Sequence, residues 1–309
     1  MFGFAILATL LVGGAIIALD DDDDTSVAPE EPTEPDLRED DNVPTSGGDL
    51  LSFGSEDDLV EARQGDDEVR AGGGDDTVLG GLGADTLFGQ GGNDDLRGGV
   101  ADDNLIGAGG EDTLSGDGGQ DALIASAGDD VIFSGEGSDF AVGGSGADSI
   151  FGGAGNDILY GGEYDSEPTD DDIEALRTDV DSFGLIETND NAADTLNGGD
   201  GVDALILDDG DIGRGGADSD LFMLLADEEN DDAITITDYA DGEDQILVAI
   251  RGEDSGLEQN DFTVVNDEDT GDALVMQGTE VLARVEDAGE TLTVEDLAFS
   301  VIAPDPSAA

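Results

Sequence analysis

The chain has 309 residues, of which 80 are Asp or Glu and only eight are basic, giving a net charge of −72. Such a charge excludes nucleic acid and anionic lipid as electrostatic partners, because both require a basic surface, and it favours cations. The sequence has no Cys and no His, which excludes disulfides, His-ligated zinc and His-dependent catalytic triads. The acid–base chemistry that remains is mainly that of carboxylates and Tyr.

The first 48 residues divide into an apolar segment and an acidic linker. Residues 2–19 are uncharged and mostly apolar, and as a helix they would span about 27 Å, close to the thickness of a bilayer core. We interpret residues 1–19 as a hydrophobic anchor or signal segment, and favour an uncleaved anchor because no basic residue precedes the apolar segment. Residues 20–48 are acidic and rich in Pro, which predicts a disordered linker. Together these segments favour an extracellular or cell-surface location.

From Phe53 to Tyr160 the sequence repeats every nine residues, for twelve uninterrupted repeats. The first five positions are rich in Gly and small polar residues, which predicts a tight turn. The eighth position is always apolar, which predicts an inward side chain in a short strand over positions seven to nine. The period therefore predicts an all-β fold, with residues 49–162 forming a parallel β-solenoid whose successive strands join two sheets alternately.

Every repeat has Asp at its sixth position, and these residues are the candidate metal ligands. Like-side Asp residues would lie about 4.8 Å apart, where carboxylates repel strongly unless a divalent cation lies between them. Ca²⁺ takes about six to eight oxygen ligands from carboxylates and carbonyls, whereas Mg²⁺ demands a tighter octahedron. One predicted edge carries Asp58, Asp76, Asp94, Asp112, Asp130 and Asp148, and the other carries Asp67, Asp85, Asp103, Asp121, Asp139 and Asp157.

The nine-residue repeats bury few apolar side chains, which predicts that their folding depends on Ca²⁺. One buried apolar side chain in nine residues does not offset the backbone entropy lost on ordering the repeat. Ca²⁺ binding is therefore expected to supply folding free energy.

Beyond the array the period is interrupted and then returns. We interpret residues 163–188 as an insertion packed on the solenoid, with a short helix over Asp170–Phe183 that Thr169 can cap. The apolar residues expected on one face of that helix are Ile173, Leu176, Val180 and Phe183. Residues 189–223 resume the repeat and add three candidate ligands, Asp194, Asp203 and Asp220.

Residues 224–303 contain longer alternating apolar runs with few Gly residues, which predicts a β cap over the end of the solenoid. Within it, Ala273–Met276 and Val281–Val285 flank a turn and predict a hairpin. We expect residues 304–309 to form a disordered tail.

The repeats resemble the RTX (hemolysin-type) calcium-binding nonapeptide G-G-x-G-x-D-x-U-x, most closely in residues 152–160. Residues 234–244 are also similar to the D-[FY]-x-x-G-x-D strand that follows such repeats, including those of serralysin-type proteases. The resemblance implies a parallel β-roll that folds with Ca²⁺ outside the cell, after export by a type I secretion apparatus. It implies that the sixth-position Asp residues bind Ca²⁺ together with carbonyls of the first four positions, among them those of Gly72, Gly74, Gly81, Gly83, Gly135, Gly137, Gly144, Gly146, Gly153 and Gly155.

Several repeats depart from the pattern. Glu56 replaces the fourth Gly of the first repeat, and Ala125 replaces a first Gly. We expect weaker or missing calcium sites near Asp58 and near Asp130.

These features predict a non-enzymatic, extracytoplasmic calcium-binding β-roll protein, secreted or anchored at the surface. Two alternatives remain open. One is a polysaccharide-modifying enzyme that uses a carboxylate pair, and the other is a calcium-dependent adhesin with a protein or carbohydrate partner.

Overall fold

The computed structural model describes residues 44–162, 192–226, 232–251, 259–289 and 291–302. In these ranges the chain forms twenty-three β-strands, a 3₁₀ turn at Gln259–Asp261 and no α-helix. The chain divides into two units, Met1–Asp40 and Asp41–Ala309, and only the second is described here. The predicted anchor, most of the linker, the helix over Asp170–Phe183 and the tail lie outside the described residues. Within the described ranges, no helix has the length and apolar character needed to cross a bilayer.

The strands form two long sheets. Through the repeats, odd-numbered strands belong to the first sheet and even-numbered strands to the second. The first sheet has eleven strands, in the order β1 (Leu50–Ser52), β3 (Glu68–Gly73), β5 (Thr86–Gly91), β7 (Asn104–Gly109), β9 (Ala122–Ala127), β11 (Phe140–Ser145), β13 (Ile158–Tyr160), β15 (Ala204–Leu207), β17 (Leu221–Ala226), β19 (Gln245–Arg251) and β23 (Leu297–Ile302). The second has twelve, in the order β2 (Leu59–Gln64), β4 (Thr77–Leu82), β6 (Asp95–Val100), β8 (Thr113–Gly118), β10 (Val131–Glu136), β12 (Ser149–Ala154), β14 (Thr195–Asp200), β16 (Ile212–Ala217), β18 (Ile234–Ile236), β22 (Glu280–Val285), β21 (Ala273–Gln277) and β20 (Phe262–Asn266).

Within the repeats, neighbouring strands of each sheet are parallel and in register by two repeats. Val69 pairs with Leu87, and Leu87 pairs with Leu105. These eighth-position side chains point between the two sheets and are 0% exposed. The predicted all-β parallel β-solenoid is therefore confirmed.

Most strands are longer than the three residues predicted. In β4, the interior positions are Val78 at position eight of one repeat and Gly80 at position one of the next. The strand continues past the predicted boundary because position one also points inward, where only a small residue fits beside the sixth-position Asp. The Gly at position one is therefore an interior residue and not part of the turn.

The insertion falls inside a single repeat. Asp148 and Asp194 are neighbours on one edge although they are 46 residues apart, as are Asp157 and Asp203 on the other edge, whereas same-edge pairs before the insertion are 18 apart. Gly161 lies against Asp194 as other first-position glycines lie against their own Asp residues. The repeat that begins at Gly161 is thus completed by Asp194, and residues 163–191 replace its third position.

The C-terminal strands extend both sheets and then change direction. β19 and β23 continue the first sheet in parallel, and β22 continues the second sheet beside β18. β21 is antiparallel to both β20 and β22, and β21 and β22 form the predicted hairpin. Their interior is filled by large apolar side chains, including Phe262, Val275 and Leu282.

Candidate metal centre

The sixth-position aspartates form two hydrogen-bonded ladders, one along each edge of the solenoid. In each ladder, Oδ1 of one Asp accepts the backbone N–H of the sixth-position Asp one full turn earlier in the chain. Asp85 Oδ1 accepts from Asp67 at 2.8 Å, and Asp94 Oδ1 accepts from Asp76 at 2.8 Å. The assignment of alternate aspartates to opposite edges matches this arrangement. One ladder continues through Asp194, and the other through Asp203 and Asp220.

The second carboxylate oxygen of these residues faces the interior of the turn. The Asp side chains from Asp67 onward are at most 3% exposed. Buried carboxylate oxygens without a partner are costly, because they lose hydration without compensation. Within the described part of the chain, Oδ2 is buried and accepts no hydrogen bond in Asp67, Asp76, Asp85, Asp94, Asp112, Asp130, Asp157 and Asp203.

Beside the first-position Gly of several repeats, a main-chain carbonyl oxygen shares with Oδ2 the space that a side chain would occupy, as for Asp85, Asp94, Asp112, Asp157 and Asp203. A Cβ added to Gly152 would lie 2.5 Å from Asp157 Oδ2 and 2.6 Å from the carbonyl oxygen of Gly198, the first residue of the next repeat on that edge. At Gly80 the same position meets Asp85 Oδ2 and lies 2.7 Å from the carbonyl oxygen of Gly98. The absence of a side chain at position one therefore leaves oxygen atoms from two turns facing a common space.

This donor set fits Ca²⁺. In the described residues, no cluster of three or more Asp, Glu, His or Cys side chains could hold a metal by itself. A site on the ladders must therefore combine carboxylate oxygens with backbone carbonyls, which suits a hard cation with a flexible oxygen shell. Nitrogen and sulfur ligands are absent from the sequence, apart from Met.

The electrostatics of the ladders also favour a cation. Burial raises the pKa of the Asp112 carboxyl to about 7 and that of Asp130 to about 6, with a further upward contribution from neighbouring carboxylates. Burial likewise raises the pKa of Asp103 and Asp157 to about 7 and that of Asp85 and Asp203 to about 6. The backbone N–H that each carboxylate accepts opposes this shift. A bound divalent ion would hold these groups in the charged form.

The turns require backbone conformations that favour Gly. Gly74 has a φ of +117°, and a Cβ there would lie 2.7 Å from the carbonyl carbon of Glu56 in the turn below. All ten Gly residues predicted as carbonyl donors have φ between +107° and +146°. The oxygens that the structure brings against Oδ2 are the first-position carbonyls, so the ligand role of the carbonyls at positions two and four stays a prediction.

The two repeats expected to bind weakly differ in the structure. Asp58 is only half-buried, and Glu56 beside it is exposed. Asp130 is 1% exposed and accepts the N–H of Asp112 at 2.6 Å like its neighbours in the ladder. The methyl group of Ala125 is the local difference at Asp130, and a weaker site there stays a prediction.

Sequence reasoning missed Asp211 and Asp244, which end the two ladders. Asp211 Oδ1 accepts the N–H of Asp194 and its Oδ2 accepts that of Asp208, both at 2.9 Å. Asp244 Oδ1 accepts the N–H of Asp220 at 3.0 Å and its Oδ2 accepts that of Ala240 at 2.7 Å. At both ends, therefore, the protein itself supplies a donor to Oδ2. The spacing of 17 residues between Asp194 and Asp211, one less than two repeats, was the sequence signal that could have identified Asp211.

A second, exposed ladder runs beside each carboxylate ladder. Asp75 Oδ1 accepts the N–H of Asn93 at 2.9 Å, and Asn93 Oδ1 accepts that of Glu111 at 3.0 Å. These fifth-position side chains satisfy backbone donors on the outside of the turns. Their frequent Asp and Asn identity in the sequence was the signal for this ladder.

Comparison with known families agrees with this geometry. Residues 54–87, 88–123, 106–141 and 133–163 match the model of the RTX calcium-binding nonapeptide repeat. This part of the chain is an RTX β-roll. Among solved structures, the chain is similar to the extracellular lipase LipA from Serratia marcescens, with 14% identity and a TM-score of 0.22 over 84% of this chain and 39% of the lipase chain. The chain thus spans well under half of that lipase. A search of curated proteins finds no match.

Proposed function

We propose that this protein is a non-enzymatic, extracytoplasmic RTX β-roll protein whose folding is driven by Ca²⁺ bound between stacked turns. The observation that carries the proposal is the series of buried Oδ2 atoms without hydrogen-bond donors, several of which share the space beside a first-position Gly with a carbonyl of the adjacent turn, as Asp85 and Asp157 do. Five gaps on each edge of the main array allow on the order of ten sites. The product of folding would be a calcium-stabilised rod.

The distribution of perturbed carboxyl groups supports a binding role over catalysis. Carboxyl groups along both ladders have a raised pKa, for example Asp85 and Asp220. These groups recur at equal spacing and have equivalent surroundings, whereas a catalytic acid and base need different surroundings. Metal binding accounts for the whole series.

The location outside the cytoplasm is supported by the sequence. The apolar segment at residues 2–19 and the acidic linker suit a secreted or surface-anchored chain. The repeats suit type I secretion by resemblance. Extracellular calcium would then fold the chain after export, in the millimolar range that extracellular modules use.

Calcium titration tests the folding role. Circular dichroism should show a β spectrum in millimolar Ca²⁺ and a largely unfolded chain in excess chelator, with Mg²⁺ much less effective at equal concentration. Calorimetric titration should give several ions bound per chain. A chain that is equally folded in chelator would contradict the proposal.

A further inference from the structure

One first-position residue carries a hydroxyl group where the other repeats of the second sheet have Gly or Ala. Ser134 opens the repeat whose sixth-position residue is Asp139. It lies on β10, and the residues that flank it pair in register with those of β12, which aligns Ser134 with Gly152. Like the first-position residues of the other repeats it points inward, and its side chain is 0% exposed.

The hydroxyl group of Ser134 has no hydrogen-bond partner within the part of the chain that the structure describes. Its Oγ atom is buried and neither donates nor accepts a hydrogen bond there. Burying an unpaired hydroxyl group costs about 1–3 kcal/mol. Gly and Ala, which occupy this position in other repeats, would avoid that cost. A buried oxygen atom of this kind indicates that its partner is a water molecule or an ion.

The side chain of Ser134 points to the space that a ladder carboxylate shares with a main-chain carbonyl. One turn earlier, a Cβ added to Gly116 would meet Asp121 Oδ2 and the carbonyl oxygen of Ser134. The same repeat geometry one turn later directs the Ser134 side chain toward the Asp139 carboxylate and the carbonyl of Gly152. Ser134 thus offers a carbonyl oxygen to one turn and a hydroxyl oxygen to the next.

Asp139 belongs to an intact part of its ladder. Its Oδ1 accepts the N–H of Asp121 at 2.8 Å, and its own N–H is donated to Asp157 Oδ1 at 2.9 Å. The Asp139 side chain is 2% exposed. Ser134 therefore leaves the hydrogen-bonded ladder as it is in other repeats, and the local difference is one neutral oxygen atom added beside the carboxylate.

Ala125 is the matched comparison for Ser134. It holds the first position of the repeat that contains Asp130, and it is also 0% exposed, so a Cβ fits at this position. Both residues place a carbon atom beside their ladder, but only Ser134 adds an oxygen. Because Ca²⁺ takes about six to eight oxygen ligands in a flexible shell, the hydroxyl oxygen offsets the space that the carbon atom takes. Ala125 provides no such compensation.

We propose that Ser134 Oγ is a side-chain ligand of the Ca²⁺ bound beside Asp139, together with the Asp139 carboxylate and the carbonyl oxygen of Gly152. The assignment rests on the proposed function, because it names one ligand within the calcium array. It distinguishes this site from those of Gly-containing repeats, where position one offers only a main-chain oxygen. A neutral hydroxyl group strengthens the site without adding a charge that the neighbouring carboxylates would repel.

Exchanging the first-position side chains tests the assignment in the full-length chain. Ser134→Ala keeps the carbon atom and removes the oxygen, so the calcium concentration that protects amides of β10 and β12 from hydrogen exchange should rise about tenfold. The reverse exchange, Ala125→Ser, adds the oxygen beside Asp130 and should lower this concentration for β9 and β11 by about threefold. Amides of β4, several turns away, should shift by less than about twofold in both variants.

A thiol at the same position reports on coordination directly. In Ser134→Cys the sulfur replaces Oγ, and it is the only thiol because the chain has no Cys. Thiolates prefer soft metal ions, so Cd²⁺ should give a thiolate-to-metal charge-transfer band that weakens as Ca²⁺ competes for the site. Any band from the matched control Phe133→Cys, on the outer face of the same strand, should not respond to Ca²⁺.

Several outcomes would overturn the assignment. An unchanged calcium response in Ser134→Ala would mean that Oγ contacts water or only packs, and a stronger response would mean that the hydroxyl group obstructs the site. A loss of protection that is equally large in chelator would give Ser134 a packing role. These three results leave the calcium array itself in place. A parent chain that is equally protected with and without Ca²⁺ would contradict the proposed function, and the role of Ser134 with it.

Discussion

Buried acidic residues have different surroundings in the repeats and in the C-terminal strands. In the repeats, Asp112 is buried beside other carboxylates of its ladder, and burial raises its pKa to about 7. In the C-terminal region, Asp272 accepts a 2.7 Å hydrogen bond from Arg284, which lowers its pKa. The interior differs as well, because strands β20 to β22 bury large side chains where the repeats bury one residue and a Gly. The described repeats thus place buried carboxylates beside one another, whereas Asp272 lies beside a basic side chain.

The largest effect should follow calcium removal, which separates the two regions. With chelator, backbone amides of β5 to β12 should lose most of their protection from hydrogen exchange, by about 100-fold or more, because the ladders then repel without compensation. Amides of β21 and β22 should lose less, since their stability comes from apolar burial. Exchange measured by mass spectrometry with and without Ca²⁺ gives both values. Equal losses of amide protection in the two regions would mean that the repeats depend on calcium no more than the C-terminal strands do.

Removing the charge of a single carboxylate in the middle of a ladder should raise the calcium concentration needed for folding. Asp112→Asn keeps the Oδ1 acceptor and removes the charge that faces the adjacent turn, so the calcium concentration at half-folding should rise about tenfold, or 1.4 kcal/mol. Glu111→Gln removes one charge from the neighbouring exposed position and should change it by less than about twofold. Calcium titrations followed by circular dichroism compare the two. Similar shifts would mean that net charge, and not the site, sets the affinity.

The first-position Gly should be required for calcium binding, because it leaves space beside the Oδ2 atom of the sixth-position Asp. In Gly89→Ala the new methyl group meets Asp94 Oδ2 and lies 3.0 Å from the carbonyl oxygen of Gly107. We expect about a threefold to tenfold weaker calcium response, because the methyl occupies the space that the oxygens face. Gly91→Ala two residues later meets nothing within 4 Å and should stay within about 0.5 kcal/mol of the parent. The same titration measures both, and equal responses would argue against a site beside position one.

Much of the repeat region could be predicted from the sequence, because its period fixes the local geometry. The position of Asp85 relative to Asp67 and Asp103 follows from the nine-residue phase and the alternation of strands. The ladder end at Asp211 was missed, since a repeat shortened by one residue breaks the phase that identified the others. Asp244 was recognised only as part of a similar segment, because its hydrogen bond to Asp220 spans 24 residues.

Acidity should act in opposite directions with and without calcium. Burial raises the pKa of Asp112 and Asp157 to about 7, above the unfolded value of about 3.9. The ion-free fold therefore binds more protons than the unfolded chain, gains stability as pH falls from about 7 towards 4, and loses that contribution as pH rises through the folded pKa. Ca²⁺ needs the charged form, so its affinity should fall about tenfold or more between pH 8 and pH 5.5. Circular dichroism in chelator should show more β structure at pH 5 than at pH 8, while calcium titrations at the same pH values should show weaker binding at pH 5. A calcium response that does not change with pH would mean that the ladder carboxylates are ionised throughout, and that burial between the turns does not hold protons on them.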